Sequence, residues 1–449
     1  MRQRRRGWRL IALVSVLALF AAACGDDDDD EAETDDTTST TAGGTGTTEG
    51  DAATTTATPS AGASVDGALK IGTAMPLTGD LAPYGPGMQA AVELAIDDIN
   101  AGGGVLGADV ELLSEDSGTD PDIAGPAADK LVNTENVDAI MGAAGTTETI
   151  QGVLPVTSAG ARLACSGSAT SPELTFYEDD GLFFRTAPSD EFQSRLLADL
   201  ITGEGLSSVA IMNRADDYGQ AFADLTEQVL TDAGAEVIAS VPVDTAEGAN
   251  HDADVDQILE AEPEAVILIL FPAEGATILS RMIEQGIGPA DLPIYATDGL
   301  ADDTLGAAVS EADPTVVDGI IGTRPGASVE PTDFNARLES EKGITETTFA
   351  AQFYDCAIMT ALGAIATDTD DPVEIAASLG DVTSGGTKCT AFDECAGLLA
   401  DGEDIDYDGV TGFDLDEAGE PTQGVYEVWG FADGGAISSI STETMTKED

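Results

Sequence analysis

Apolar residues recur along this chain in two alternating rhythms. Short apolar runs at 69–75, 110–114, 137–142 and 162–165 are separated by stretches whose apolar positions repeat every three to four residues, at 87–100, 122–133 and 147–159. The first rhythm belongs to strands buried on both faces, the second to helices with one apolar stripe. At Pro188-Ser189-Asp190, with Ser189 placed to cap a new helix, the alternation restarts. Strands are then expected at 208–212, 236–241, 265–271 and 293–296, and helices at 191–202, 220–233, 252–261 and 275–285. Strand–helix–strand alternation with short loops predicts a parallel sheet covered by helices, so the fold class is α/β with two units in series.

The last third breaks the rhythm. A strand is expected at 317–322, helices at 332–342, 348–366 and 372–379, and an edge strand at 424–432, where apolar residues alternate. These pieces are too few for a third sheet. They are expected to pass back over the first unit and end on the second.

One stretch stands out. The first strand runs into a loop of small and turn residues, Pro76 to Gly85, and then into a helix closed by Gly102-Gly103-Gly104. A loop at the carboxyl end of a strand, opening a helix, is where open α/β sheets hold small ligands. The turn from Gly142 to Thr149 repeats that arrangement.

The two ends of the composition change the picture. Arg2, Arg4, Arg5, Arg6 and Arg9 precede an apolar run at 10–20, too short to span a bilayer, and Ala21-Ala22-Ala23 then meets Cys24. This resembles a bacterial lipoprotein signal, which implies that residues 1–24 are removed up to a lipidated Cys24, the membrane anchor. Residues 25–66 are acidic and threonine-rich with almost nothing to bury, and are expected to be a disordered tether with a reach of roughly 35 Å. Acidic residues number 84 against 17 basic, a net charge of −67. The tether carries 12 acids and no base, so residues 67–449 keep 72 acids and 12 bases, a net −60. Such a charge excludes nucleic-acid binding and an electrostatic grip on anionic lipid. It reads as a solvated surface, or as one suited to salt that screens self-repulsion.

Catalytic equipment is missing from the inventory. The single histidine, His251, sits in a polar stretch that opens a helix, no Gly-x-Gly-x-x-Gly turn follows the first strand, and no Walker loop occurs. Asp404, Asp406, Asp408 and Gly409 imitate the start of a calcium loop, but its twelfth position, which needs a glutamate, is Leu415. No metal, cofactor or catalytic residue is expected. Cys389 and Cys395 are spaced to close a small loop, and Cys165 would pair with Cys356 if both lie in the first unit, although sequence alone leaves the connectivity open.

Several segments carry a family resemblance: Pro76–Gly79 with Tyr84-Gly85, Ile99 to Gly107, Gly142 to Thr147, Ser166 to Thr175, Asp217-Tyr218-Gly219 and Phe353-Tyr354-Asp355. In this order they resemble the type I periplasmic binding proteins, specifically the leucine/isoleucine/valine-binding proteins of ABC importers. The resemblance implies two Rossmann-like lobes joined by three crossovers and closing on a ligand. It places the first lobe at 67–188, the second at 189–318, a return to the first at 319–412 and a return to the second at 413–449.

The resemblance also assigns a site. Thr146, with Thr147 beside it at a helix start, falls where the ligand carboxylate is held, and free N–H groups there favour an anion. Ser168, Thr170 and Asp298 fall where the ammonium is held. Tyr84, Tyr218 and Phe271 fall on the walls of the side-chain pocket. Phe271 replaces a common tyrosine, and Asp298 a common glutamate. The implied protein is extracytoplasmic and lipid-anchored, and captures a small amino acid, branched-chain in type, for a membrane permease. An amide, urea or aromatic acid as ligand, or a sensing receptor subunit, are the alternatives.

Overall fold

A computed structural model describes residues 65–246, 248–326, 332–432 and 434–447. The proposed signal, Cys24 and nearly all of the tether lie outside these residues. The first sheet has five parallel strands in the order β2-β1-β3-β4-β5. They are β1 (Lys70–Met75), β2 (Glu111–Asp116), β3 (Ala139–Gly142), β4 (Leu163–Ser166) and β5 (Phe183–Arg185). The second sheet begins with β6 (Ser208–Arg214), β7 (Glu236–Val243), β8 (Ala265–Ile269), β9 (Ile294–Ala296) and β10 (Ile321–Pro325), mutually parallel in the order β10-β9-β8-β6-β7. The small pair β11 (Thr387–Cys389) and β12 (Ile405–Tyr407) follows, and the antiparallel β13 (Gln423–Ala432) and β14 (Ala436–Thr446) then complete the second sheet beyond β10.

The central strands are buried end to end. All five residues of β8, Ala265 to Ile269, are inaccessible, which is why they read as a continuous apolar run without alternation. The helix Ala350–Thr367 returns to the first sheet with nearly its whole circumference buried, as expected of a helix apolar all round. The chain therefore passes between the sheets after β5, after β10 and again between β12 and β13.

Two strand expectations need correction. The strand expected at 317–322 is β10, Ile321–Pro325. Residues Pro314–Val317 form a tight helical turn, and Gly319 (φ +98°) delays the extended backbone. The run at 424–432 is no edge. β13 lies between β10 and β14, with β14 outermost. Its Trp429 packs so closely on β10 that a Cβ on Gly322 would lie 2.1 Å from the indole Cζ2. β14 has a serine- and threonine-rich exposed face that gave no apolar rhythm, and β5 is only three residues long.

Disulfides join Cys165 to Cys356 and Cys389 to Cys395. The first ties β4 to the returning helix across 191 residues of sequence. Cross-linking so long a loop restricts the unfolded chain, by about 4 kcal/mol or more in the chain-entropy account. Replacing both Cys165 and Cys356 with alanine is expected to lower the urea midpoint correspondingly.

Candidate functional site

The carboxyl ends of the first-sheet strands face those of the second, and the loops between them enclose a cleft. Its inner chamber is small, about 20 Å³, and is walled by Leu81, Tyr84, Met88, Tyr218, Phe271 and Phe349. Ala144, Gly145, Thr146, Ser168, Asp298 and Gly299 complete the lining. Sharing Gly145, Thr146, Tyr218 and Phe271 with it is an outer chamber of about 310 Å³.

Six of the expected residues therefore meet in one chamber: Tyr84, Thr146, Ser168, Tyr218, Phe271 and Asp298. Thr147 lines the outer chamber instead. Thr170 lines neither and is buried behind the wall.

Each position follows from local structure. Tyr84 ends the loop after β1 and caps the helix Gly85–Ala101, and its hydroxyl donates to the Gly299 carbonyl across the cleft at 3.1 Å. Thr146 opens the helical run 146–160 beyond β3. Ser168, in the loop after β4, donates to the Ala144 carbonyl at 2.7 Å. Tyr218 stands in the first turn of the helix Asp217–Ala233, its hydroxyl 3.0 Å from that of Thr297. Its ring lies nearly parallel to that of Phe271, with centroids 5.5 Å apart. Asp298 follows β9 and accepts from Gln193 Nε2 at 2.9 Å.

The charges are arranged unevenly. Burial pushes Asp298 up to about 6, against the hydrogen bonds from Gln193 and Tyr218. Asp190, the first residue of the helix Asp190–Gly203, is fully buried, and neither of its carboxylate oxygens has a well-formed hydrogen bond among the described residues. Burial first, and then the charge of Asp298, raise Asp190 well above the usual carboxylate range, while Thr170 and Arg185 pull the other way. Two buried carboxyls that repel each other and lack full hydrogen bonding are a costly arrangement, which a cation against Asp298 relieves. Sequence reading missed Asp190. In the sequence it is only the residue after a helix cap, and nothing local distinguishes it from dozens of other aspartates.

The sequence reading also missed the lining of the outer chamber. Arg214, at the end of β6, is buried and pairs with Glu274 at 2.5 Å, Asp216 at 2.7 Å and Asp80 at 3.0 Å. Asp80 belongs to the loop after β1, so this last pair spans the cleft. The guanidinium carbon also lies 3.9 Å from the centre of the Phe271 ring, a cation–π geometry. Glu148 lies in the same wall and accepts from the Gly145 N–H at 2.7 Å, and burial pushes its carboxyl up to about 7. Part of the N-terminal donor set is thus used by the protein itself.

A parallel sheet and a mixed one, three crossings and an interlobe cleft lined by both halves define a two-lobed ligand-binding protein. The chain belongs to the periplasmic binding protein family, whose sequence profile matches residues 68–396, and it is a binding protein, not an enzyme. It is similar to a chemotactic signal transduction system substrate-binding protein, BasB, of Halobacterium salinarum, at 28% identity over 376 residues, 79% of this chain and 85% of that protein. It is also similar to a leucine-, isoleucine-, valine-, threonine- and alanine-binding protein of Pseudomonas aeruginosa, at 25% identity over 319 residues, 69% of this chain and 82% of that protein. Among solved structures, a branched-chain amino-acid transporter substrate-binding protein of Streptococcus pneumoniae, in complex with isoleucine, superposes with a TM-score of 0.69 at 20% identity, covering 84% of this chain and 99% of that one. A solute-binding protein of R. palustris, in complex with 4-hydroxybenzoate, gives 0.68 at 17% identity, covering 85% and 98%. These last two likenesses speak to the fold.

Proposed function

We propose that this chain is the extracytoplasmic solute-binding subunit of an ABC importer, taking a small zwitterionic amino acid of the branched-chain type. The observation that carries this reading is the chamber's division of charge. The buried carboxyl of Asp298 stands in the lining, with the fully buried Asp190 close enough to feel its charge, and the helix start at Thr146 offers N–H groups to the same chamber. An α-ammonium answers the first and an α-carboxylate the second. Leu81, Met88, Tyr84 and Phe271 leave an apolar wall for an aliphatic side chain. The binding proteins of leucine, isoleucine and valine among its relatives support the same ligand class.

The ligand bridges first-lobe groups (Tyr84, Thr146, Ser168) and second-lobe groups (Tyr218, Phe271, Asp298), so its binding energy favours the closed arrangement. In this reading the closed form docks on a membrane permease, and a lipid on Cys24 keeps the protein at the outer face of the membrane. A thermal-shift screen tests the ligand class. Leucine, isoleucine or valine at 100 times its Kd is expected to add about 2.7 kcal/mol of stability. Benzoates lack an amine and meet the Asp298 carboxyl, so 4-hydroxybenzoate is expected to give no shift. The opposite pattern would overturn the reading.

Acidity should separate binding from stability. The ammonium needs Asp298 ionised, and its carboxyl sits at about 6. Lowering the pH from 7.5 to 5 is therefore expected to weaken leucine binding about tenfold by calorimetry. Stability moves the other way. Asp138 and Glu148 are raised to about 7, and Asp298 and Asp355 to about 6, chiefly by burial, so the folded state holds these protons more tightly than the unfolded chain. Their contribution grows as the pH falls from about 7 through the unfolded carboxylate range near 4, and is lost as it rises. Thermal melts without ligand at pH 7.5 and 5.5 check this sign.

A further inference from the structure

The loop after β4 carries Ser168 and Thr170, yet its shape is not set by a ladder or a long helix. Ser166 Oγ accepts from the Ser168 and Ala169 N–H groups at 3.3 and 3.0 Å at its start, and a single guanidinium holds the rest. Arg185, the last residue of β5, has no solvent exposure. Its Nη1 donates to the carbonyls of Ala169 at 3.3 Å and Ser171 at 2.8 Å, the two residues flanking Thr170. The carbonyl of Thr170 itself accepts from the Asp190 N–H at 3.0 Å. Three successive carbonyls are thereby fixed, and the Thr170 hydroxyl is left beside the Asp190 carboxyl.

The other arm of the same guanidinium reaches the third crossover. Its Nη2 donates to Thr175 Oγ1 at 3.1 Å and to Glu420 Oε1 at 2.5 Å, and the Thr175 hydroxyl donates to that same oxygen at 2.7 Å. The backbone is joined as well, for the Arg185 N–H donates to the Gly419 carbonyl at 3.1 Å. Gly419 sits at φ +77°, and a Cβ there would come within 2.8 Å of the Phe184 ring and 2.9 Å of the Phe183 carbonyl. The crossover between β12 and β13 is therefore seated directly on β5 and, through one buried ion pair, on the loop after β4.

We propose that Arg185 is a positioning residue that holds the loop 167–176 in its ligand-competent shape, and that Glu420 makes that shape depend on the third crossover. The inference rests on the amino-acid reading above. A buried ion pair gains little stability over apolar packing of equal volume. What the planar fork supplies is fixed geometry: four acceptors on two segments are held at once, which lysine cannot do.

The test uses the full chain and three variants, Thr175→Val, Glu420→Gln and Arg185→Lys, each compared with wild type well below its own melting temperature. Thr175→Val leaves the ion pair in place and guards against a variant that fails to fold. Hydrogen exchange of the amides at 167–176 is read first. The expected result is at least tenfold faster exchange confined to this loop in Glu420→Gln and Arg185→Lys, and a smaller increase in Thr175→Val. Calorimetry with L-leucine is read second, with an expected five- to thirtyfold loss of affinity in the same order. Unchanged loop exchange overturns the proposal. So does faster exchange with unaltered leucine affinity, which would leave the knot a structural contact only. Failure of wild type to bind L-leucine or any other amino acid counts against the ligand reading instead, and the exchange data then decide the loop-positioning claim alone.

Discussion

Replacing Asp298 with alanine is expected to weaken binding of the preferred branched-chain amino acid by roughly 30- to 150-fold, about 2–3 kcal/mol, because it leaves a buried ammonium without the carboxylate that lines its chamber. Asp298 is nearly inaccessible, accepts from Gln193, and shares its surroundings with Asp190. The free protein should not suffer equally, since a carboxyl that burial has already pushed up to about 6 costs the fold something when ionised. Isothermal calorimetry beside a thermal melt separates the two effects. An unaltered Kd would remove Asp298 from the site. Thr146→Ala should do less, about 1 kcal/mol, because backbone N–H groups remain to meet the ligand carboxylate.

A larger loss of stability is expected from Arg214→Met. Glu274, Asp216 and Asp80 converge on this one guanidinium, and Glu274 is itself buried. Removing the cation strands their charges, at a cost of about 3–5 kcal/mol by analogy with broken buried pairs. It also removes the cation from the face of Phe271, a wall of the inner chamber. Asp80→Asn is the mild counterpart. Asp80 is a third exposed and solvent screens its pair, so no more than about 1 kcal/mol is expected. Urea denaturation followed by circular dichroism reads both variants. An Arg214→Met midpoint within error of wild type would show that water or relaxation supplies the missing charge.

Much of the architecture was legible in the apolar rhythm. The β8 run, Ala265–Ile269, and the helix Asp217–Ala233 follow directly from burial on two faces and on one. The two places where the rhythm misled are instructive. Residues 424–432 alternate as an edge strand would, yet β14 covers them, because a strand rich in serine and threonine pairs through its backbone and announces nothing in its side chains. Residues 317–320 are apolar enough for a strand, but a turn through Gly319 takes that apolar surface into the core by another path.

The site divides in the same way. Thr146 at its helix start, Tyr84 at the end of the first loop and Asp298 after a strand were picked out by the family resemblance, and the structure brings them to one chamber. The chain's own residues thus determined the α/β alternation, the acidic surface and the strand-end loops where a ligand would sit. Tertiary structure alone decided which carboxyls matter. Among 84 acids, only the fold puts the buried Asp190 and Asp298 within reach of each other's charge, and proximity binds Asp80, Asp216 and Glu274 to Arg214 and Glu420 to Arg185. These partners lie from 2 to 235 residues apart in sequence. A carboxylate's chemistry is set by the water taken from it and the charge brought to it, and both are properties of the fold.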